Sequence, residues 1–141
     1  MINETFLKYW DNETAAPVLL NGADKNDILE YAGRFYNLDF ELRDIRPHYS
    51  FDVLCEGSVP VAIKSFIEGN DFADVIATAI SVGGDSDTIA AIAGSIAEVV
   101  YPIPEQIRKR AEDMLDEYLM ETISYAQKFI SDDYINRMQK E

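Results

Sequence analysis

An all-α fold is predicted for this chain. Apolar residues recur at helical spacings, proline and glycine punctuate the runs between them, and no stretch alternates apolar and polar residues long enough to make a strand. With 141 residues and 48% hydrophobic content, the chain can bury the core of one compact domain.

Taken in order, residues 1–23 carry an aromatic cluster, Phe6, Tyr9 and Trp10, then Pro17 and the turn pair Asn21-Gly22, which fit one short helix and a loop. Asp24 precedes Ile28, Leu29, Ala32, Phe35 and Tyr36, an apolar helical face expected to end near Asn37. From Phe40 to Val59 the period is lost, and Pro47, Ser50, Gly57, Ser58 and Pro60 suggest an ordered loop. Val61, Ala62, Phe66 and Ile67 mark a helix that Gly69-Asn70 would close with a left-handed cap. Asp71 is placed to cap the next helix, through Val75, Ile76, Ala79 and Ile80, which Gly83-Gly84 breaks.

The segment from Thr88 to Val100 is rich in small side chains, Ala90, Ala91, Ala93, Gly94, Ser95 and Ala97, which let neighbouring backbones come close. Pro102 and Pro104 stop it, and Pro104 suits the first turn of a following helix expected to bury Ile107, Ala111, Met114, Leu115, Tyr118 and Leu119. A last amphipathic helix is expected over residues 126–141, following Tyr125 and carrying Phe129, Ile130, Tyr134, Ile135 and Met138.

The formal net charge is −14, with 26 acidic residues against 12 Lys+Arg. Such a field repels phosphate backbones and anionic lipid, so neither nucleic acid nor a membrane surface is an expected partner. No apolar stretch approaches the roughly 20 residues of a membrane-spanning helix. One cysteine, Cys55, cannot form an internal disulfide, and Met1-Ile2-Asn3-Glu4 lacks the basic opening of a secretory leader, so a cytoplasmic protein is expected.

Chemistry is concentrated in Gly83-Gly84-Asp85-Ser86-Asp87-Thr88. Two carboxylates one residue apart and a hydroxyl are oxygen donors of the kind a magnesium or manganese ion prefers, and a double glycine lets the backbone turn tightly enough to aim both acids inward. The competing reading is a helix cap, in which Asp85, Ser86 or Asp87 satisfies free amides and complements the helix dipole. Spacing alone leaves both open. Cys55 and His48, the single cysteine and histidine, are too few for a zinc site and are read as a buried thiol and a surface imidazole rather than a nucleophile and its base.

The run from Ala79 through Gly83-Gly84-Asp85-Ser86-Asp87-Thr88-Ile89-Ala90-Ala91 to Glu98, continued by Tyr101 and Ile103-Pro104-Glu105-Gln106-Ile107, resembles the C-terminal signature of the ADP-ribosylglycohydrolase family. Upstream, Ile45-Arg46-Pro47, Tyr49, Phe51-Asp52, Cys55 and Gly57-Ser58-Val59-Pro60 are similar to the loop preceding that signature in a bacterial branch of the family. The resemblance spans residues 24–125; residues 1–23 do not match.

The resemblance implies an orthogonal helical bundle with a two-magnesium centre that binds ADP-ribose and hydrolyses its glycosidic bond to an acceptor. Asp85, Asp87 and Thr88 correspond to its C-terminal metal ligands; Gly84, Cys55, Gly57 and Ser58 would line the substrate cleft. The family's N-terminal glycine- and aspartate-containing segment and its Thr-Asp-Asp-Thr motif are not found, and Ser131-Asp132-Asp133-Tyr134 is read as solvent-facing or capping. A truncated member is therefore expected, with an underliganded magnesium site and no assigned catalytic acid or base. Three roles follow: a hydrolase completed by a complementing chain or a second copy, a non-catalytic binder of ADP-ribose or a nucleotide, or a helical interaction module.

Overall fold

The computed structural model describes residues 24–52 and 54–138, with side chains as far as Lys128. Its helices are α1 (Lys25–Ala32), α2 (Leu42–Ile45), α3 (Cys55–Glu68), α4 (Phe72–Val82), α5 (Ser86–Ala97), α6 (Glu105–Glu112) and α7 (Glu117–Met138). No strand occurs among the described residues, and the fold is all-α as the periodicity requires. The short helix expected within residues 1–23 lies outside the described residues. The chain divides into two compact units between Ile103 and Pro104.

In the first unit, α3, α4 and α5 pack against one another, and α1 and α2 lie against α3. Helix α1 begins with a reciprocal capping box: the Asp24 carboxylate accepts from the amides of Asn26 and Asp27, and Asp27 accepts from the Asp24 amide at 2.8 Å. It ends at Ala32 rather than Asn37. Beyond Gly33 the amides of Arg34 and Phe35 bond three residues back, tightening the chain, and Phe35 is left 56% exposed.

The expected loop from Phe40 to Val59 contains two helical pieces. Leu42 is fully buried on the four-residue α2, and α3 starts at Cys55, six residues before Val61. Pro60 and the Gly57-Ser58 pair read as loop chemistry, yet proline removes only one helical hydrogen bond, the one from residue 60 to the Glu56 carbonyl. Burial of Ser58 and of every residue from Pro60 to Phe66 outweighs that loss.

Gly69 closes α3 in an extended conformation, φ −72°, and not as a left-handed cap. A Cβ there would lie 2.8 Å from the Val75 amide nitrogen, so the glycine is required by close approach to α4. The carbonyls at this end of α3 are met by Lys25, whose Nζ donates to Ile67 O at 3.0 Å and to Gly69 O while lying 5.2 Å from the Phe66 ring centroid. A cation there complements the negative end of the helix dipole. Lys25→Met is expected to cost about 1.5 kcal/mol, the loss of a hydrogen bond from a charged donor, read as a lower urea midpoint.

Asp71 caps α4, as anticipated, accepting from the Asp74 amide at 2.8 Å. Val75 and Ala79 are fully buried, whereas Ile80, placed on the same apolar run, is 54% exposed. The small residues of α5 do bring backbones together: a Cβ at Gly94 would lie 2.9 Å from Ile76 Cδ1.

The second unit departs most from expectation. The helix after Pro104 stops at Glu112, and α7 restarts at Glu117 behind Asp116, whose carboxylate accepts from the Leu119 amide at 2.8 Å. This cap divides what periodicity alone joined. No residue of α6 is buried, and Met114, Tyr118 and Leu119 are exposed rather than buried. Helix α7 is continuous from Glu117, so residues 126–138 extend it and are not a separate element. Ser131 to Tyr134 lie within α7; their side chains are outside the described residues.

Candidate metal centre

The link between α4 and α5 is residues 83–85. Gly83 and Gly84 both adopt positive φ, 82° and 64°, a region that side chains other than glycine's rarely enter. Space is open around Gly83, but the Gly84 α-carbon is pressed against Tyr49, where a Cβ would lie 2.7 Å from Cε1, and against the Ser50 carbonyl oxygen, 2.9 Å away. The double glycine therefore turns the chain and seats that turn on the Tyr49 ring.

Asp85 occupies the N-cap position of α5, and its backbone carbonyl accepts from the Ile89 amide at 3.0 Å. Its carboxylate makes no capping hydrogen bond, although Asp is among the best caps. The carboxylate lies instead beside Asp87. Contact with the Asp85 side chain, first, and then the backbone amides of Asp87 and Thr88 hold the Asp87 carboxyl below its ordinary value, against a small opposing effect of burial. The Thr88 hydroxyl, also in the first turn and exposed, has no hydrogen-bond partner among the described residues. Asp85 and Asp87 thus lie together at the turn, with the Thr88 hydroxyl one residue further on.

Of the sequence-assigned cleft residues, Gly57, Ser58 and Gly84 meet at Tyr49, and Cys55 does not. The Tyr49 hydroxyl donates to Gly57 O at 3.2 Å, and Ser58 lies within hydrogen-bonding reach of its phenolic oxygen. Burial, then the negative charges of Asp52 and Asp85, raise the Tyr49 pKa above its ordinary value, opposed by Ser58. Gly57 faces Asp52, where a Cβ would overlap the carboxylate. Ser58 is buried, its hydroxyl within 3.3 Å of both Asp52 O and Leu54 O, so it ties down the start of α3 instead of presenting a free donor. Cys55 is exposed, not buried, because it is the first residue of α3 at the outer end of that helix; its proximity to Tyr36 helps raise that phenol's pKa, after burial. His48 is exposed and makes no side-chain bond to Cys55.

Tyr49 and Asp52 were absent from the residues assigned a site role. A usable signal was the spacing of Asp52 two residues before Leu54, where its carboxylate accepts the Leu54 amide at 2.8 Å and prepares a helix start. Tyr49 carries no such local signal. Arg46 adds a third tether: its Nε donates to Ser81 Oγ at 3.1 Å, and Ser81 in turn donates to Thr78 O, fixing the end of α4 just before the turn.

Among the described residues no three His, Cys, Asp or Glu side chains converge on one point. The donors at the turn are Asp85, Asp87 and Thr88. Magnesium commonly holds one or two protein carboxylates and completes its shell with water and substrate oxygens, so this set suits such an ion without a third acid. With a single histidine and a single cysteine it does not suit zinc.

An all-helical chain with an acidic Gly-Gly-Asp-Ser-Asp-Thr turn at the head of a small-residue helix matches the ADP-ribosylglycohydrolase family over residues 15–139. The chain belongs to that family. The match is wider at both ends than residues 24–125, on which the resemblance was drawn. A protein of Archaeoglobus fulgidus described as uncharacterized is 31% identical over 106 residues, which make up 71% of this chain and 34% of that protein. The chain therefore spans about a third of that relative's length. No solved structure matches. Among the described residues, no helix is long and apolar enough to cross a membrane.

Proposed function

We propose that this chain supplies one half of a magnesium-dependent ADP-ribosylglycohydrolase site, in which Asp85, Asp87 and Thr88 hold Mg2+ and the remaining ligands come from water, substrate and a complementing chain or second copy. The observation that carries this reading is the Asp85 carboxylate, which stands at a helix N-cap and makes no capping bond. The turn leaves it beside Asp87 with the Thr88 hydroxyl close by in sequence, a cluster of hard oxygen donors. Two carboxyl groups in contact need a proton or a cation between them, and a divalent cation would take that place.

Bound magnesium supplies electrostatic stabilisation of the developing charge and a polarised water. This chain's own residues position that ion. Gly83 and Gly84 aim the acids, Tyr49 backs the turn, and Gly57 allows the backbone at the start of α3 to approach without a side chain. The reaction adds water across the bond between the ribose anomeric carbon and its acceptor, hydroxyl to the sugar and proton to the acceptor. The general acid and base are assigned to the complementing part, and the site of action to the cytoplasm.

Isothermal titration of Mg2+ and then ADP-ribose into the purified chain tests this reading. Saturable binding that disappears in the Asp85→Ala/Asp87→Ala double variant is expected. A folded wild-type chain that takes up neither would sink it. ADP-ribose binding without turnover, even when candidate complementing chains are supplied, would favour the second reading, a non-catalytic binder; the convergence of only two carboxylates at the turn gives that reading its support.

A further inference from the structure

We infer that Tyr49 is a positioning residue for the Asp85/Asp87 pair, a strut that fixes the Gly83-Gly84 turn against the start of α3 and so sets the affinity of the site for a divalent cation. This rests on the proposed metal-binding role of that pair.

Three contacts converge on this side chain. The ring edge lies against the Gly84 α-carbon so closely that no side chain fits between them. The hydroxyl donates to Gly57 O at 3.2 Å, linking the ring to the first turn of α3. The phenol is also within electrostatic range of both Asp52 and Asp85. Tyr49 thus bridges two segments separated in the sequence, residues 49–58 and 84–88.

The consequence follows from the conformational freedom of the turn. Two consecutive glycines have the widest choice of φ and ψ of any pair, so the turn does not hold its own shape. Asp85 adds no side-chain capping bond to restrain it. What selects one conformation of Gly84 is the surface it rests on, the Tyr49 ring and the Ser50 carbonyl. Without the ring, the turn samples other conformations and the two carboxylates separate. Binding a cation then carries the entropy of reordering them.

The hydroxyl and the ring have separable parts. Tyr49→Phe keeps the surface under Gly84 and loses the tie to Gly57, whereas Tyr49→Leu keeps apolar bulk but removes the flat ring edge. Neither variant alters a metal-donor atom. A purely structural role would change the unfolding midpoint of both variants and leave cation affinity of the folded protein untouched.

The test uses Mn2+ as the probe, with loss of its free-ion electron paramagnetic resonance signal reporting binding to the full chain. Each variant is measured at a temperature where circular dichroism shows it folded. Tyr49→Leu is expected to weaken Mn2+ binding by about tenfold or more, the range for removing a group that orients metal ligands, with Tyr49→Phe falling between it and wild type. If Tyr49→Leu does not fold, Tyr49→Phe decides: it must bind more weakly than wild type. Wild-type affinity in the folded variants, with binding abolished in Asp85→Ala/Asp87→Ala, overturns the strut and leaves the metal site standing. No Mn2+ uptake by the folded wild type overturns both.

Discussion

Phe66→Ala is expected to lower the stability of the first unit by about 3–5 kcal/mol, the cost of truncating a fully buried aromatic side chain. Phe66 is wholly inaccessible to solvent on α3. Its ring lies 6.4 Å from that of Tyr101, and the Lys25 ammonium sits over it. Truncation therefore removes transfer free energy and dispersion contacts and leaves a cavity that helices on either side cannot readily fill. Because a domain of this size has only about 5–15 kcal/mol in hand, much of the population would unfold under mild warming. A urea titration followed by circular dichroism measures this directly. A midpoint shift corresponding to less than about 1 kcal/mol would mean that the core is not organised around this ring.

Gly84→Ala is the second large effect, and it acts on both stability and the site. The positive φ of 64° alone costs about 1–2 kcal/mol for a residue with a Cβ. The new methyl group must also displace Tyr49 or Ser50, since it would stand 2.7 Å from one and 2.9 Å from the other. A total of about 1–3 kcal/mol is expected, together with weakened Mn2+ binding as the turn lifts off the ring. Gly83→Ala is the informative companion, because it is strained by its backbone conformation but meets nothing within 4 Å. Its weakening of Mn2+ binding should be smaller than that of Gly84→Ala. Equal cation affinities for wild type and Gly84→Ala would show that the seating of this turn has no bearing on the carboxylates.

Much of the helical architecture was legible where local chemistry and tertiary packing agree. Asp71 caps α4, Gly83-Gly84 ends it, and the alanine- and glycine-rich α5 packs closely, all for reasons contained in a few neighbouring residues. Reading failed where a distant surface overrules local preference. Gly57, Ser58 and Pro60 favour a loop by themselves, but burial draws Ser58 and Pro60 into α3. Gly69 carries the mark of a left-handed cap, yet serves to admit the backbone of Val75. At the candidate site, the spacing of the aspartates and threonine left a metal site and a helix cap both open, and it is the family resemblance that favoured the former. Tyr49 could not be picked out, since its importance lies in touching Gly84 and Gly57 at once, a fact no spacing along the chain encodes. The division of α6 from α7 was missed because one capping aspartate, Asp116, outweighs a period that continues across it.

The links between the core helices have a kinetic meaning. Helices α3, α4 and α5 follow one another directly, joined only by residues 69–71 and 83–85. Bringing each pair together requires closing a very short loop, so little chain entropy is spent before apolar contacts begin to form. Contacts so local in sequence belong to rapidly folding topologies. The second of these joints is also where Asp85 stands and where Asp87 and Thr88 begin the next helix. A change that slackens this joint is therefore expected to slow refolding of the unit, read as a smaller stopped-flow refolding rate.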